Sequence, residues 1–124
     1  PGDKIIVQPP VYFPFYHVIK GNDRIIVENQ LKVVNNLYEM DYEDLINKID
    51  SNTKMLFLCS PHNPGGRVWK KEELVKLGNI CLEGIQRCSG RDKQTPCLYV
   101  CLLSYWTCND RLVKISLNIL KFDL

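Results

Sequence analysis

Apolar residues in the first two thirds of the chain alternate between short runs typical of strands and longer stretches with helical spacing. The runs Ile5–Val7 and Met55–Cys59 have the length and composition of buried parallel strands. Between them, Arg24–Val27 follows a Gly-Asn-Asp turn and predicts another strand. Strands separated by helical stretches predict an α/β fold with a mostly parallel sheet.

Three stretches have the spacing of amphipathic helices. The first is Val11–Ile19, with Pro14 in its first turn, and the second is Tyr42–Ile49, which follows Asp41 as its N-cap. The third is Lys70–Leu82. The order of strands and helices predicts a partial three-layer α/β/α unit. The side chains that these helices are expected to bury are Val11, Phe15, Val18, Ile19, Leu45, Ile46, Ile49, Leu74, Leu77, Ile80 and Cys81.

The pattern changes in the last third of the chain. A stretch without periodicity is followed by Cys97–Trp106, an apolar run too short to span a membrane as a helix. The final stretch, Leu112–Leu124, alternates weakly and predicts either a strand or a disordered end. We therefore divide the chain into residues 1–83 and a tail, residues 84–124.

Composition and charge narrow the class of protein. A length of 124 residues is enough for one small domain but short for a two-domain enzyme. Hydrophobic residues make up 45%, enough for a core, and the net charge is only +2 with basic residues scattered among acids. This distribution gives little support for nucleic-acid binding. Because the apolar run of the tail is too short to span a membrane as a helix, we expect no membrane partner. The N-terminus has no signal or targeting features, and its start directly before a strand suggests a longer parent chain.

Six cysteines are present, and none of them forms a CxxC pair. Cys59 and Cys81 occupy positions predicted to be buried, so we expect reduced thiols in the core. The irregular spacing of the other four predicts no zinc site and no other metal site. The cysteine pattern favours a reducing setting, so we expect a cytoplasmic protein. These four are Cys88, Cys97, Cys101 and Cys108.

The segment with the most chemical information is the loop Ser60–Arg67, which follows the strand Met55–Cys59. Pro61 and Pro64 restrict the backbone on both sides of Asn63, and two glycines accept backbone angles that other residues avoid. Open α/β sheets bind ligands at the carboxyl ends of their strands. The loop therefore predicts that Asn63 is held against a ligand as donor or acceptor. The alternative is a plain strand-to-helix turn.

Two motifs resemble a known family. Residues 10–16, Pro-Val-Tyr-Phe-Pro-Phe-Tyr, and residues 58–64, Leu-Cys-Ser-Pro-His-Asn-Pro, are similar to pyridoxal-phosphate (PLP) enzymes of fold type I. Within the class I/II aminotransferase superfamily they look nearest to the MalY/PatB-type cystathionine β-lyases. The Tyr-x-x-Phe segment and the Val-Trp of residues 68–69 point to that subgroup. The resemblance covers residues 1–83 and implies part of the large PLP-binding domain.

The resemblance implies two cofactor-binding residues. Tyr12 matches the aromatic residue that stacks on the PLP ring, a contact worth about 0.5–1.5 kcal/mol beyond area burial. Asn63 matches the asparagine that hydrogen-bonds the phenolic oxygen, whose charge shifts during the reaction. Tyr16, one helical turn after Tyr12, is a further candidate for the same pocket. His17 and His62 have no metal partner at ligand spacing, so we expect them to be structural or solvent-facing.

Other parts that PLP chemistry needs are missing. These enzymes require a lysine that binds the cofactor covalently and a carboxylate that keeps the ring nitrogen protonated. The family carries the acid in an Asp-Glu-Ile segment on the next strand and the lysine further on, and neither motif is present here. Lys54 starts the strand that ends before Asn63, which places it roughly 16 Å away at the wrong edge of the sheet. We therefore assign no catalytic residue.

The tail can be interpreted as an out-of-frame translation. The resemblance predicts the missing aspartate at the position of Arg91. When Gln86–Lys93 is back-translated and shifted by one base, the permitted codons include Val-Val-Val-Asp-Glu-Ile, starting within the Arg87 codon. On this hypothesis the cysteines and the apolar run of the tail have no selected function. A divergent but genuine C-terminus is the alternative.

The sequence thus predicts a fragment of a PLP-dependent C–S lyase or aminotransferase with a small amino-acid substrate. Elimination from a cystathionine-like thioether is favoured over transamination, and the parent enzyme is expected to be a homodimer. The chain is expected to be inactive alone because the lysine and the aspartate are missing. A non-enzymatic remnant of such a gene is one alternative, and an interaction or membrane segment in the apolar tail is another.

Overall fold

A five-stranded, mostly parallel sheet organises the chain. The computed structural model describes residues 1–88, 99–103 and 118–119. Its strands are β1 Lys4–Val7, β2 Ile25–Glu28, β3 Lys32–Val34, β4 Leu37–Glu39, β5 Thr53–Cys59, β6 Tyr99–Leu103 and β7 Asn118–Ile119. Its helices are α1 Pro14–Gly21, α2 Tyr42–Lys48 and α3 Lys71–Cys88. The sheet has the order β2-β1-β5-β6-β7; its first four strands run parallel and β7 is antiparallel to β6.

Alternating side chains of β1 and β5 form two cores, one on each face of the sheet. On one face, Ile6, Leu56 and Leu58 pack with residues of α2 and α3. On the other face, the neighbouring strand residues pack against α1. This arrangement confirms the predicted α/β/α layers. The residues of the second core are Ile5, Val7, Phe15, Ile19 and Cys59.

The first helix starts later than predicted. It begins at Pro14, which occupies the first helical position, where the missing N–H costs no hydrogen bond. Phe15 and Ile19, one turn apart, carry its buried face. Val18 was expected on that face, but this expectation is wrong because its side chain is 55% exposed. Val11 precedes the helix and is partly buried against the same core.

A β-hairpin formed by β3 and β4 was not predicted. Its turn consists of Asn35 and Asn36, which have φ of 49° and 63°. Two left-handed residues are typical of a tight hairpin turn, and asparagine tolerates that conformation. Val33 and Leu37 are exposed, so the hairpin shows no alternation of buried and exposed side chains that would identify it in the sequence.

The start of α2 agrees with the prediction, whereas the end of α3 does not. Asp41 caps α2 as predicted, because its carboxylate accepts a hydrogen bond of 3.2 Å from the Asp44 N–H. The third helix runs to Cys88 rather than ending at Leu82, and it therefore crosses the predicted division at residues 83/84. Gly84 lies inside this helix, and its lack of a side chain is needed there because an added Cβ would lie 2.7 Å from Cγ2 of Ile49.

The described part of the tail extends the sheet. The strand β6 lies within the predicted apolar run, and β7 lies within the weakly alternating stretch. Arg91, Cys97 and Cys108, to which predictions refer, lie outside the described residues. Within the described part of the chain, no helix is long and apolar enough to cross a membrane.

Candidate functional site

Tyr12 and Asn63 lie in loops that leave the same edge of the sheet. The Tyr12 loop (residues 8–13) connects β1 to α1, and the Asn63 loop (residues 60–67) connects β5 to α3. These two strands are parallel neighbours, with Ile6 of β1 opposite Leu56 of β5. Because both loops follow the carboxyl ends of adjacent strands, the fold brings the two predicted site residues to one region.

A hydrogen bond joins the two loops directly. The Nε2 atom of His62 lies 2.7 Å from the carbonyl oxygen of Pro10. A carbonyl oxygen can only accept, so Nε2 is the donor. The imidazole is buried, with 1% of the residue exposed, and lies edge-on to the Trp69 ring with a centroid distance of 5.5 Å. His62 is therefore structural, one of the two roles that the sequence predicts for it.

Backbone hydrogen bonds close the Asn63 loop on itself. The His62 N–H donates to the carbonyl of Arg67 at 2.7 Å, and the Gly66 N–H donates to the carbonyl of His62. At the start of the loop, the Cys59 thiol donates to the carbonyl of Pro61 at 3.2 Å. The Asn63 side chain is exposed, and no hydrogen-bond partner for its carboxamide is found among the described residues. The backbone of the loop is therefore fixed, while the Asn63 carboxamide is exposed and can hydrogen-bond to a ligand.

The two glycines of the Asn63 loop have different roles. Gly66 has φ of +66°, a conformation that a side chain disfavours. Gly65 has no such φ; instead, a Cβ at this position would lie 2.6 Å from Cδ2 of Tyr38. The expectation that both glycines supply unusual backbone angles is therefore wrong for Gly65, which is required because the Tyr38 ring packs against it.

Arg67 anchors the end of the Asn63 loop. Its guanidinium donates to the Tyr38 carbonyl of β4 and to Glu73 Oε1 of α3, the latter at 2.6 Å. It also lies 4.7 Å from the centroid of the Trp69 ring. Burial acts to raise the pKa of Glu73, but hydrogen bonds from the Lys70 N–H and from Arg67 outweigh it and lower that pKa. The loop is thereby tied to a strand and a helix.

The sequence reasoning did not identify Arg67 or the loop-joining role of His62. Contacts between residues far apart in the chain leave no periodic signal, and the partner of His62 is 52 positions away. A local signal existed for Glu73, because an acid three residues after Lys70 has the spacing of a capping box at the start of α3.

Aromatic packing supports Tyr12. Its ring lies edge-on to the Phe15 ring of α1, with centroids 5.6 Å apart and an interplanar angle of 82°. Phe15 in turn lies edge-on to Phe57 of β5 at 5.2 Å. Tyr12 itself is half-buried. The ring is therefore held from one side by residues of the second core.

Tyr16 and His17 of α1, which follow Tyr12 in the sequence, contact Glu28 and Phe13 respectively. The Tyr16 hydroxyl donates to Glu28 at 2.8 Å, and burial together with this hydrogen bond raises the pKa of Tyr16 to about 12. His17 is exposed and lies edge-on to the Phe13 ring, with centroids 5.0 Å apart. The expectation that His17 faces solvent is confirmed.

Lys54 lies at the amino end of β5, and its Nζ donates to the Ser51 carbonyl at 2.8 Å. Cys59 and Cys81 are buried and unpaired, as predicted, and burial raises the pKa of Cys81 to about 12. No group of potential metal ligands is found in the part of the chain that the structure describes.

The family model described as aminotransferase class I and II matches residues 1–85. Cystathionine beta-lyase PatB of Bacillus subtilis (strain 168) is 50% identical over 84 residues, which are 67% of this chain and 22% of PatB. Protein MalY of Escherichia coli (strain K12) is 31% identical over 81 residues, which are 64% of this chain and 21% of MalY. The chain thus spans about a fifth of the length of these relatives.

Two solved enzyme structures share the fold of this chain. Cystalysin from Treponema denticola, which contains a pyridoxal 5′-phosphate cofactor, matches with a TM-score of 0.66 and 38% identity over 84% of this chain and 23% of cystalysin. Aspartate aminotransferase from Thermus thermophilus with maleate matches with a TM-score of 0.69 and 25% identity over 84% of this chain and 24% of that enzyme.

Proposed function

Because the chain belongs to the class I and II aminotransferase family, we propose that it is the part of a PLP-dependent enzyme that holds the cofactor ring. One observation carries this proposal. The loops of Tyr12 and Asn63 follow adjacent parallel strands and are joined by the 2.7 Å hydrogen bond between His62 and Pro10. In this proposal, residues 1–83 belong to the large cofactor-binding domain.

The chemistry of the two side chains fits the ring of PLP. The Asn63 carboxamide is exposed and uncommitted among the described residues, so its N–H can meet an anionic oxygen. The half-buried Tyr12 ring, braced by Phe15, offers a flat aromatic face to a flat heterocycle. We assign no phosphate-binding residue among the described residues. We place the group that binds the phosphate elsewhere in the parent enzyme.

The proposed roles are positional and electrostatic. PLP, when bound, supplies an electron sink for the bonding electrons of an amino-acid substrate. Tyr12 covers one face of the ring, fixes its tilt and excludes water from that face. Asn63 donates an N–H to the phenolic oxygen, and its loop is closed by backbone hydrogen bonds, so this donor needs little reorganisation during the reaction.

The substrate class we favour is an amino acid with a thioether at its β-carbon, and the reaction is β-elimination. The 50% identity to a cystathionine beta-lyase supports this choice over transamination. The Tyr12-x-x-Phe15 and Val68-Trp69 features of the sequence point to the same subgroup. We expect the parent enzyme to be a homodimer in the cytoplasm.

We further infer that the chain alone is inactive. Lys54 lies at the edge of the sheet opposite the Asn63 loop, so it is unsuited to bind the cofactor covalently. The neighbouring strand β6, Tyr-Val-Cys-Leu-Leu, contains no acid that could serve the ring nitrogen. The covalent lysine and the carboxylate must come from other parts of the parent enzyme.

A titration of the 124-residue chain with PLP, followed by cofactor absorbance, tests the proposed site. We expect Tyr12→Ala and Asn63→Ala each to raise the dissociation constant about fivefold, since each removes one contact worth about 1 kcal/mol. Phe13→Ala is the matched control, because Phe13 is 66% exposed in the same loop and should leave binding unchanged. Equal affinities for the wild type and both site variants would rule out the assignment.

A further inference from the structure

We propose that His62 is a positioning residue that sets the spacing between the Tyr12 loop and the Asn63 loop. This inference rests on the proposed function and deepens it, because it assigns the geometry of the cofactor site to a residue that does not touch the cofactor. His62 directly precedes Asn63, and its acceptor Pro10 lies shortly before Tyr12. One side chain therefore connects the two loops that carry the proposed ligand-binding residues.

The surroundings of His62 hold its imidazole in place. It lies between the Trp69 ring, at 5.5 Å, and the Tyr38 ring, at 6.4 Å between centroids. Trp69 is itself fixed, since its Nε1–H donates to the Cys59 carbonyl at 2.9 Å. The residue is 1% exposed, so solvent does not compete for its hydrogen bond. The ring cannot turn away from Pro10 without disturbing this packing.

The backbone of His62 is equally constrained. Its N–H and its carbonyl are both hydrogen-bonded within the Asn63 loop, to Arg67 and Gly66 respectively. The backbone of His62 is thus fixed within the Asn63 loop, and its side chain is fixed to the Pro10 carbonyl of the Tyr12 loop. Removing the side-chain donor frees the Tyr12 loop to shift relative to Asn63, and small misplacements weaken binding that depends on two contacts at once.

Only one ring nitrogen of His62 is used. Nε2 donates to Pro10, whereas Nδ1 is buried and has no hydrogen-bond partner within the described residues. A glutamine amide nitrogen is separated from Cα by the same number of bonds as Nε2, and an asparagine amide nitrogen matches the nearer Nδ1. His62→Gln should therefore keep the bond to Pro10, and His62→Asn should lose it.

The test compares His62→Gln, His62→Asn and His62→Phe in the 124-residue chain. The phenylalanine variant keeps an aromatic ring next to Trp69 but has no donor. Two readouts are measured: amide hydrogen exchange in residues 11–13 without cofactor, and the dissociation constant for PLP. We expect H62N and H62F to exchange faster in these residues and to bind PLP about tenfold more weakly, whereas H62Q stays within about twofold of the wild type.

Melting temperatures separate positioning from general damage. If H62F melts lower than the wild type, H62N and H62Q, which differ by one methylene, become the deciding pair. Equal exchange and equal affinity for H62N, H62Q and the wild type would overturn the inference. A wild-type chain that fails to bind PLP would contradict the proposed function instead, and the exchange rates would still decide whether His62 links the loops.

Discussion

Gly65 and Gly66 are neighbours in the Asn63 loop, yet different physical constraints require them. At Gly66 the constraint is the backbone, with φ of +66° and no atom within 4 Å of an added Cβ. At Gly65 the constraint is the neighbouring Tyr38 ring, 2.6 Å from the Cβ position. The first constraint is local and can be predicted from a turn sequence. The second depends on an unpredicted hairpin.

Double variants distinguish these two constraints. We expect Gly65→Ala and Gly66→Ala each to lower the free energy of unfolding by about 1 kcal/mol or more, the first through overpacking and the second through backbone strain. In a Tyr38→Ala background the cost of Gly65→Ala should largely disappear, and that of Gly66→Ala should persist. Urea unfolding of the three single and two double variants measures this. Equal rescue of both glycine substitutions would contradict our explanation.

Lys54 provides a residue-scale test of the proposed inactivity. Because its Nζ lies at the amino end of β5 and donates to Ser51, it should react with PLP no more than other surface lysines. We expect borohydride reduction of a PLP-treated sample to leave no lysine with a stoichiometric adduct, as peptide mass mapping would show. Lys54→Arg should leave the total label nearly unchanged. A stoichiometric adduct at one lysine would refute the absence of the covalent lysine.

Among the elements, strands with a buried face on each side were predictable and the hairpin was not. The runs that became β1 and β5 are apolar throughout because both faces are covered, a composition visible in the sequence. The hairpin β3–β4 exposes Val33 and Leu37, so its composition carries no such signal. The end of α3 was missed at Gly84, since the Ile49 side chain that requires glycine there belongs to a distant segment.

The acids around α2 predict how this element responds to pH. The hydrogen bond from Lys48 is the largest cause that lowers the pKa of Asp44, and the hydrogen bond from Lys4 does the same for Asp50. In the unfolded chain both carboxyls return to ordinary pKa values near 3.8. As the pH falls, the carboxyls of the unfolded chain therefore bind protons before those of the folded chain. The stability that these two carboxylates contribute above a pH of about 3.8 is lost as the pH falls below that value.

We accordingly expect the free energy of unfolding to be nearly constant from pH 7 to about pH 5. Below that it should fall steadily until the pH has passed the folded-state pKa values of Asp44 and Asp50. Asp44→Asn should reduce this dependence, because it removes one of the shifted carboxyls. The exposed Glu43→Gln is a matched control on the same helix. Urea unfolding followed by circular dichroism measures the effect. A loss of stability on raising the pH from 5 to 7 would contradict the sign.

At the scale of the whole molecule, the chain forms a five-stranded sheet that matches a small part of its relatives. It spans 22% of PatB, and the proposed site uses two loops at one sheet edge without a covalent lysine or an acid on β6. In our proposal, the site is shared with parts of a parent enzyme, which would explain why the sequence predicts the ring-holding residues but no catalytic one. The fold class was predictable because strand and helix order alone specify it.

The interpretation of the tail as an out-of-frame translation is tested in the gene. We predict that the codons for Arg87–Lys93, read one base out of frame, encode Val-Val-Val-Asp-Glu-Ile or a close variant. We also predict that the shifted frame continues into a lysine motif. Sequencing of the genomic DNA decides between this proposal and a divergent but genuine C-terminus. Codons that cannot encode the acidic segment in the shifted frame would eliminate it.

The central claim is that Tyr12 and Asn63 contact the same PLP ring, and a crystal structure of the chain with PLP tests it most directly. We predict a ring offset-stacked on Tyr12, with the Asn63 amide nitrogen about 3 Å from the phenolic oxygen. A cofactor bound elsewhere, or two side chains too far apart to touch one ring, would contradict the claim.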